Sequence, residues 1–262
     1  MAAIALITDF GAADWFAGEL RGTILSLNSV AVPVDITHAI PRGGVREGAF
    51  ALLASYRGFP EDTVFLASVG YGDARSRVIA ARTASHTFIA PDNGLLSWML
   101  RREGSAEVRE VNIEEYLLPS GCATFPARDL LAPLAAELAD WLDFESCGEA
   151  TSEYVKLDWP EPLIESGAAS ASVVYIDRFG NAVTSITPRE VFGACGEGAE
   201  CAAGNGATMP VGVHYGDVPT GGAVAYPGSA GLVEIGVNGG SAAELLGLAV
   251  GGAVRFTPRS AQ

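Results

Sequence analysis

The first residues of the chain predict a buried strand that ends in a tight turn and leads into a helix. Residues 4–7 are consecutive apolar side chains, and such a run is typical of a strand that is covered on both faces. The run ends near Asp9, and Gly11 permits a sharp turn. Apolar residues then recur with helical spacing at Phe16, Leu20, Ile24 and Leu27.

Strand-like and helix-like patterns alternate through about the first 145 residues, which predicts an α/β domain with a mixed or parallel central sheet. Strands are predicted at 30–38, 63–69, 77–83, 86–90 and 108–111, and helices at 44–57, around 96–99 and at 128–142. Short strands follow at 171–176, 182–186, 223–226 and 232–237, with one helix at 242–248. We therefore predict an α/β domain over 1–145, an acidic linker over 146–166 and a smaller all-β, barrel-like domain over 167–262.

The composition suits a globular protein that binds a small molecule. Hydrophobic residues make up 49% of the 262 residues, and the formal net charge is −15. Nucleic acids and anionic membranes both require a basic surface, so this charge argues against either as a partner. A cationic or zwitterionic ligand fits the acidic protein better than an anionic one.

The cysteines and the apolar runs argue against further classes of protein. Cys122, Cys147, Cys195 and Cys201 form no Cys-x-x-Cys pair and have no neighbouring histidine, so we expect small buried or loop residues and no metal site. No apolar run reaches the roughly 18 residues of a membrane span. No basic segment with a cleavage site is visible at the amino terminus, and we expect a cytoplasmic protein.

Asp9 is the first candidate for a functional side chain. Ligands of α/β sheets bind at the carboxyl ends of the strands, and a carboxylate there can accept hydrogen bonds from paired hydroxyls such as those of a ribose. The alternative is that Asp9 only starts the turn and caps the following helix. Phosphate-binding loops and hydrolase triads are missing from the sequence. The residues themselves therefore indicate an α/β enzyme or binder of an uncharged or cationic nucleoside-like ligand.

Six short segments carry a resemblance to a known family. They are Thr8-Asp9-Phe10-Gly11, Asp35-Ile36-Thr37-His38, Arg46-Glu47-Gly48-Ala49, Pro91-Asp92-Asn93-Gly94-Leu95-Leu96, Thr124-Phe125 with Arg128-Asp129, and Ile176-Asp177-Arg178-Phe179-Gly180-Asn181. In this order they resemble the S-adenosylmethionine hydroxide adenosyltransferases and the related fluorinases and chlorinases. The resemblance spans residues 4 to about 257 and implies an α/β domain followed by a β-barrel. It also implies a homotrimer with the ligand between the amino-terminal domain of one subunit and the carboxy-terminal domain of its neighbour.

The same resemblance implies the residues that bind the substrate, with neither a metal nor a cofactor beside it. They are Asp9 for the ribose hydroxyls; Asp14, Trp15 and Phe16 for the same wall; Asp177, Asn181 and the nearby Phe179 for the amino-acid end of the methionine; and Ser229, Val237 and Asn238 for the adenine.

The chain departs from the family at the position of the nucleophile. Relatives that use hydroxide are expected to surround the attacking water with an aspartate, an arginine and a histidine. Here Arg75 is retained at the family's spacing, but Ser68 replaces the aspartate and Pro126 replaces the histidine. Tyr71 or Asp73 of the same loop is a candidate substitute for the missing carboxylate.

The resemblance implies hydrolysis of S-adenosyl-L-methionine to adenosine and L-methionine by attack of water or hydroxide on the 5′-carbon. Ser68 and Arg75 are then the candidate catalytic residues. Two alternatives stay open: a protein that binds adenosine or S-adenosylmethionine without turnover, and a halogenase that uses the same substrate.

Overall fold

The computed structural model describes residues 2–72, 75–119 and 124–259. Their contacts divide the chain into two compact units, Met1–Leu157 and Asp158–Gln262. Asp73 and Cys122, for which the sequence suggests roles, lie outside the described residues. Among the described residues, no helix is both long enough and apolar enough to cross a bilayer.

A mixed sheet forms the centre of the first unit. Its described strands are β1 (Ala3–Thr8), β2 (Val32–Thr37), β3 (Thr63–Ser68), β4 (Val78–Arg82), β5 (His86–Pro91), β6 (Glu107–Val111) and β7 (Gly148–Ala150). They lie in the order β2-β1-β3-β5-β4-β6-β7. The pairs among β2, β1, β3 and β5 are parallel, and the remaining pairs are antiparallel. This sheet confirms the predicted α/β fold of the amino-terminal part.

Helices cover both faces of this sheet. They are α1 (Phe16–Leu27), α2 (Val45–Ser55), α3 (Ser97–Glu103), α4 (Ile113–Tyr116) and α5 (Ala132–Leu138), with 3₁₀ turns at Tyr56–Gly58 and Phe144–Cys147. On β1, Leu6 packs with α1 and α5 on one face, while Ala5 and Ile7 of the same strand are also buried. β1 is therefore covered on both faces, as its apolar run predicts.

The helix predicted at 128–142 is interrupted, because it opens as a π-helical turn over Ala127–Leu131 before α5 begins. Pro133 has no N–H to donate to the carbonyl of Asp129, so that oxygen lacks its usual α-helical partner. Leu118 N–H donates to it instead at 2.9 Å. π-turns inside helices are frequent next to functional sites.

The second unit is an antiparallel, nearly closed barrel. Its described strands are β8 (Leu163–Glu165), β9 (Ala168–Ile176), β10 (Ala182–Thr184), β11 (Ala199–Ala203), β12 (Thr208–Pro210), β13 (Ala223–Pro227), β14 (Val233–Val237) and β15 (Ala253–Pro258), with helices α6 (Pro188–Cys195) and α7 (Ala242–Leu246) and a 3₁₀ turn at Tyr215–Asp217. The strands follow the order β12-β11-β15-β9-β10-β14-β13, with β8 beside β9. A bridge between Val211 and Ala225 brings the two ends of this order together. The predicted barrel-like carboxy-terminal fold is confirmed.

Strands occupy both ends of the stretch predicted as a linker over 146–166. β7 pairs with β6 in the first unit, and β8 pairs with β9 in the second. Most of the intervening chain has no regular structure. The exact domain limits stay a prediction.

The described cysteines are buried and free, as the sequence predicts. Cys147, Cys195 and Cys201 form no disulfide. Burial raises the pKa of the Cys147 thiol to about 11 and that of Cys201 to about 12. These thiols are protonated and unreactive at neutral pH, since the thiolate is the nucleophilic form.

Arg128 fastens the π-helical turn to α1. Its guanidinium contacts both carboxylate oxygens of Asp129, at 2.6 and 2.8 Å, and Oε1 of Glu19 at 2.7 Å. Asp129 is only 2% exposed. The guanidinium also lies 5.3 Å from the ring centre of Phe125. These hydrogen bonds raise the pKa of Arg128 and keep it charged.

Arg128→Met should lower the free energy of unfolding by about 3 kcal/mol, because it removes the guanidinium from a buried carboxylate. Urea denaturation followed by circular dichroism measures the loss. Arg57→Met is the control, since Arg57 is 62% exposed beside Glu103 and should cost less than about 1 kcal/mol. Equal losses in the two variants would contradict a special role for Arg128.

Candidate active site

A cleft of about 680 Å³ lies in the first unit at the carboxyl ends of β1 and β3. It is lined by residues 9, 10, 14, 16, 42, 43, 70–72 and 124–127. The cleft therefore gathers the turn after β1, the loops after β2 and β3, and the start of the π-helical turn. This end of the sheet is where α/β proteins bind ligands.

The carboxylate of Asp9 is fixed by two loops at the mouth of this cleft. Its Oδ2 accepts hydrogen bonds from the backbone N–H of Gly43 at 2.8 Å and of Gly70 at 3.1 Å. Both glycines have positive φ, 70° and 65°, which side chains rarely adopt. No described residue donates to Oδ1. Oδ2 is thus held in place, whereas Oδ1 remains able to accept a hydrogen bond from a ligand.

Asp9 does not cap the following helix, so that part of the alternative is wrong. Trp15 is the residue before α1, and no side chain caps the helix there. The backbone N–H groups that Asp9 accepts from belong to the loops after β2 and β3.

Three phenylalanine rings form an apolar wall of the cleft. The ring centres of Phe10 and Phe16 both lie near that of Phe125, at 5.5 and 5.2 Å. Trp15 packs against Phe16 at 5.1 Å, but it is 68% exposed and does not line the cleft. Asp14 is exposed at the rim and lines it. Of the three predicted wall residues, two therefore line the cleft itself.

Ser68 and Arg75, the two predicted catalytic residues, do not line the cleft. Ser68 ends β3, is 1% exposed, and its hydroxyl finds no hydrogen-bond partner among the described residues. Arg75 is exposed in a turn. Tyr71 of the loop after β3 does line the cleft, as does Pro126.

In the second unit, Asp177 organises the turn after β9. Its Oδ1 accepts from the backbone N–H of Phe179 and of Asn181, both at 2.8 Å. Its Oδ2 accepts from the side-chain amide of Asn181 at 2.9 Å. Phe179, at the tip of the turn, is 76% exposed. The two polar residues predicted to act together are therefore brought together.

Glu234 is a further carboxylate beside Asp177 that the sequence analysis missed. Burial raises the pKa of Glu234, and the charge of Asp177 raises it further, against a hydrogen bond with Tyr226 that lowers it. A side chain at position 228 would place Cβ 2.1 Å from Oε1 of Glu234, so Gly228 leaves room for this carboxyl. One charged residue in an apolar strand gives little sequence signal.

The residues predicted to face adenine are partly engaged within the second unit. Ser229 is exposed, whereas Val237 is buried in the barrel core. Asn238 N–H donates to the carbonyl of Gly222 at 3.0 Å, and its own carbonyl accepts from Gly221 at 2.8 Å. A hydrogen bond from this segment to adenine must therefore use a second lone pair of a backbone carbonyl, or a side chain.

The described residues hold no group of three or more side chains suited to bind a metal ion. Arg42, Tyr71 and Thr124 also line the cleft, and the polar groups at the two places described above include carboxylates, amides and backbone N–H groups. Such groups suit hydroxyls and an ammonium group.

An α/β unit followed by a β-barrel is the architecture that the sequence resemblance implies. Family models for the SAM hydroxide adenosyltransferase N-terminal domain and C-terminal domain match residues 4–148 and 171–255. The chain belongs to the SAM hydroxide adenosyltransferase family, which confirms the resemblance.

Two similar proteins match nearly the whole chain, and a fluorinase matches less of it. A protein of Thermus thermophilus named (R)-S-adenosyl-L-methionine hydrolase is 36% identical over 98% of this chain and 100% of its own length. One of the same name from Salinispora arenicola is 35% identical over 97% of both. A fluorinase of Actinoplanes sp. is 28% identical over 70% of this chain and 71% of its own.

A solved structure has the same fold over nearly the whole chain. An uncharacterized conserved protein from Thermotoga maritima aligns with a TM-score of 0.90 and 31% identity, over 97% of this chain and 99% of that one.

Ser68→Ala should leave the free energy of unfolding unchanged or raise it by about 1 kcal/mol, because a buried hydroxyl without a partner loses its hydration on folding. Ser97→Ala is the matched control. Ser97 is also buried, but its hydroxyl donates to Gly94 and accepts from Leu157. The control should lose about 1–3 kcal/mol in urea denaturation. A similar loss in Ser68→Ala would show that its hydroxyl is paired after all.

Proposed function

We propose that this protein hydrolyses S-adenosyl-L-methionine to adenosine and L-methionine. The observation that carries the proposal is the match over 98% of the chain to a protein named (R)-S-adenosyl-L-methionine hydrolase, against 70% for a fluorinase. Hydrolysis is therefore favoured over halogenation. By the same match, the substrate is the epimer with the (R) configuration at sulfur.

In the proposed reaction, the oxygen of a water molecule forms a bond to the 5′-carbon while the carbon–sulfur bond breaks. The bonding pair goes to sulfur, so a sulfonium becomes a neutral thioether, and one proton of the water is released. The leaving group needs no acid, because it departs without charge. Such a step benefits most from an aligned substrate and a site that excludes bulk water.

In this proposal the first unit holds the ribose. Oδ1 of Asp9 accepts from a ribose hydroxyl, since Oδ2 is already fixed by the loops after β2 and β3. Phe16 and its neighbouring rings exclude water on one side, and Asp14 and Trp15 extend that wall at the rim. A charged acceptor for a hydroxyl forms a stronger hydrogen bond than a neutral one.

The second unit holds the other two parts of the substrate. Asp177 and Asn181 bind the amino-acid end, with Phe179 covering it, and Ser229 with Val237 and Asn238 faces the adenine. Support comes from the paired geometry of Asp177 and Asn181 and from their match to the family motif. The substrate is the small-molecule partner, and no separate cofactor enters the scheme.

Ser68 and Arg75 are the proposed catalytic residues. In this proposal the hydroxyl of Ser68, which is buried and has no partner among the described residues, orients a water molecule, and the positive charge of Arg75 favours the developing hydroxide. Ser68 lacks the basicity of the aspartate it replaces. The alternative of a binding protein without turnover rests on that loss. We also propose that the enzyme is cytoplasmic.

Arg75→Gln should lower kcat about a hundredfold with a much smaller change in KM, because the arginine acts on the attacking oxygen. Turnover is measured in oxygen-18 water, with mass spectrometry of the nucleoside; label at the 5′-hydroxyl is expected. Arg259→Gln, which removes the same charge from an exposed site, is the control. Tight binding without any product would favour the binding protein, and a 5′-halo nucleoside on adding chloride or fluoride would favour the halogenase.

We further propose a homotrimer in which each site needs two chains. Support comes from the division of the proposed contacts between residues 9–16 of the first unit and 177–238 of the second. Light scattering should give three times the mass of 27.1 kDa. A monomer that binds adenosine at full affinity would overturn this proposal.

A further inference from the structure

His38, which the proposed chemistry does not use, contacts the chain on both sides of Asp9. Its ring Nδ1 lies 2.8 Å from the hydroxyl oxygen of Thr8, the residue before Asp9. Its backbone carbonyl accepts from the N–H of Gly11, two residues after Asp9, at 2.7 Å. One residue thus holds both flanks of the turn that carries the carboxylate.

The ring of His38 is held in turn from its far side. Nε2 lies 3.1 Å from Oδ1 of Asp35 on β2, which is close enough for an ion pair but too poorly aligned for a good hydrogen bond. The other oxygen of Asp35 pairs with the guanidinium of Arg21 on α1. Arg21, Asp35, His38 and Thr8 therefore form one connected polar relay, from the surface to the end of β1.

The direction of the hydrogen bonds in this relay follows from its charges. Because Nε2 faces a carboxylate, the ring proton belongs on Nε2, and Nδ1 accepts from the Thr8 hydroxyl. The same hydroxyl oxygen can then accept from the N–H of Phe10, which lies 3.4 Å away. In this arrangement the Thr8 hydroxyl donates to His38, while Nε2–H of His38 and the guanidinium of Arg21 both face Asp35.

The relay is buried where it meets the site. Thr8 is 0% exposed and the His38 side chain 8%. A buried hydroxyl or imidazole that loses its partner is left with an unsatisfied polar atom, which costs free energy. Rotation of the turn after β1 would break these contacts and is therefore unfavourable. Hydrogen bonds from both sides fix the backbone of Asp9, while the N–H groups of Gly43 and Gly70 fix its carboxylate.

We propose that His38 is a positioning residue, which acts through Thr8 to hold Asp9 in the orientation that receives the ribose hydroxyls. This inference rests on the proposed function, which assigns the ribose to Asp9. If Asp9 is already ordered before the ligand arrives, ligand binding and the reaction do not bear the entropic cost of ordering it. We therefore expect the relay to increase ligand affinity although His38 and Thr8 do not line the cleft.

The test is calorimetric titration of adenosine into the full-length protein and its variants. Thr8→Val keeps the shape of the side chain but removes the hydroxyl, and we expect the Kd to rise about tenfold. His38→Leu should give a similar rise, and the double variant should be no worse than either single one. His38→Asn, whose amide oxygen can replace Nδ1 as an acceptor, should recover most of the affinity.

Thr63→Val is the matched control, because Thr63 is equally buried but lies at the opposite end of the sheet, where its hydroxyl donates to Pro60. It should lower Tm as much as Thr8→Val does while leaving the Kd unchanged. If Thr8→Val and His38→Leu bind adenosine like the wild type, or if Thr63→Val weakens binding equally, the positioning role is overturned.

Asp9→Asn separates this failure from that of the proposed function. It should raise the Kd at least thirtyfold or so, because the ribose loses its charged acceptor. Unchanged affinity in Asp9→Asn would overturn the assignment of the ribose itself. Lost affinity in Asp9→Asn with normal binding in the Thr8 and His38 variants would overturn the relay alone.

Discussion

The site depends on one constraint: a strand buried on both faces can present a charge only where it ends. β1 has no room for a charged side chain between Ile4 and Thr8, and Asp9 is the first position beyond it. The loops after β2 and β3 meet there, and each offers a backbone N–H from a glycine to the same carboxylate oxygen. The ends of three parallel strands are therefore joined at one acceptor, and the cleft takes its position from this junction.

The chemistry that suits this junction is one in which charge disappears. A sulfonium substrate brings a positive charge to an acidic protein and leaves it as a neutral thioether, so the cleft needs an aligned, apolar wall more than a strong acid. The rings of Phe10, Phe16 and Phe125 supply that wall. Arg128, which packs near Phe125 and binds the buried Asp129, holds the wall to α1. The contacts of Arg128 that stabilise the fold therefore also hold the aromatic wall of the cleft in place.

Much of the fold can be predicted because its elements carry strong local signals. The apolar run before Asp9 and the helical spacing from Phe16 place β1 and α1 within a residue or two. β11 and β12 were missed, since alanine and glycine dominate this region and few β-branched residues mark a strand. α6 was missed although Thr187 and Glu190 form a complete capping box at its start.

The polar contacts of the site could not be predicted for a different reason. The partners of Asp9 are backbone N–H groups, 34 and 61 residues away along the chain, which carry no side-chain signature. The relay through His38 joins three elements that only the sheet order brings together. In contrast, the contact between Asp177 and Asn181 is local, and both residues belong to one short sequence motif.

The two departures from the family at the nucleophile site make physical sense as a pair. Ser68 is fully buried, so an aspartate there would need a nearby cation or donor to offset the loss of its hydration. Replacing the family's histidine alone, with Pro126, would leave such a carboxylate with one partner fewer. Replacing the aspartate alone would leave a polar imidazole beside the apolar wall. With serine at position 68 and proline at position 126, neither position carries a charge, and Arg75 is the one charged group retained from the set that the resemblance implies.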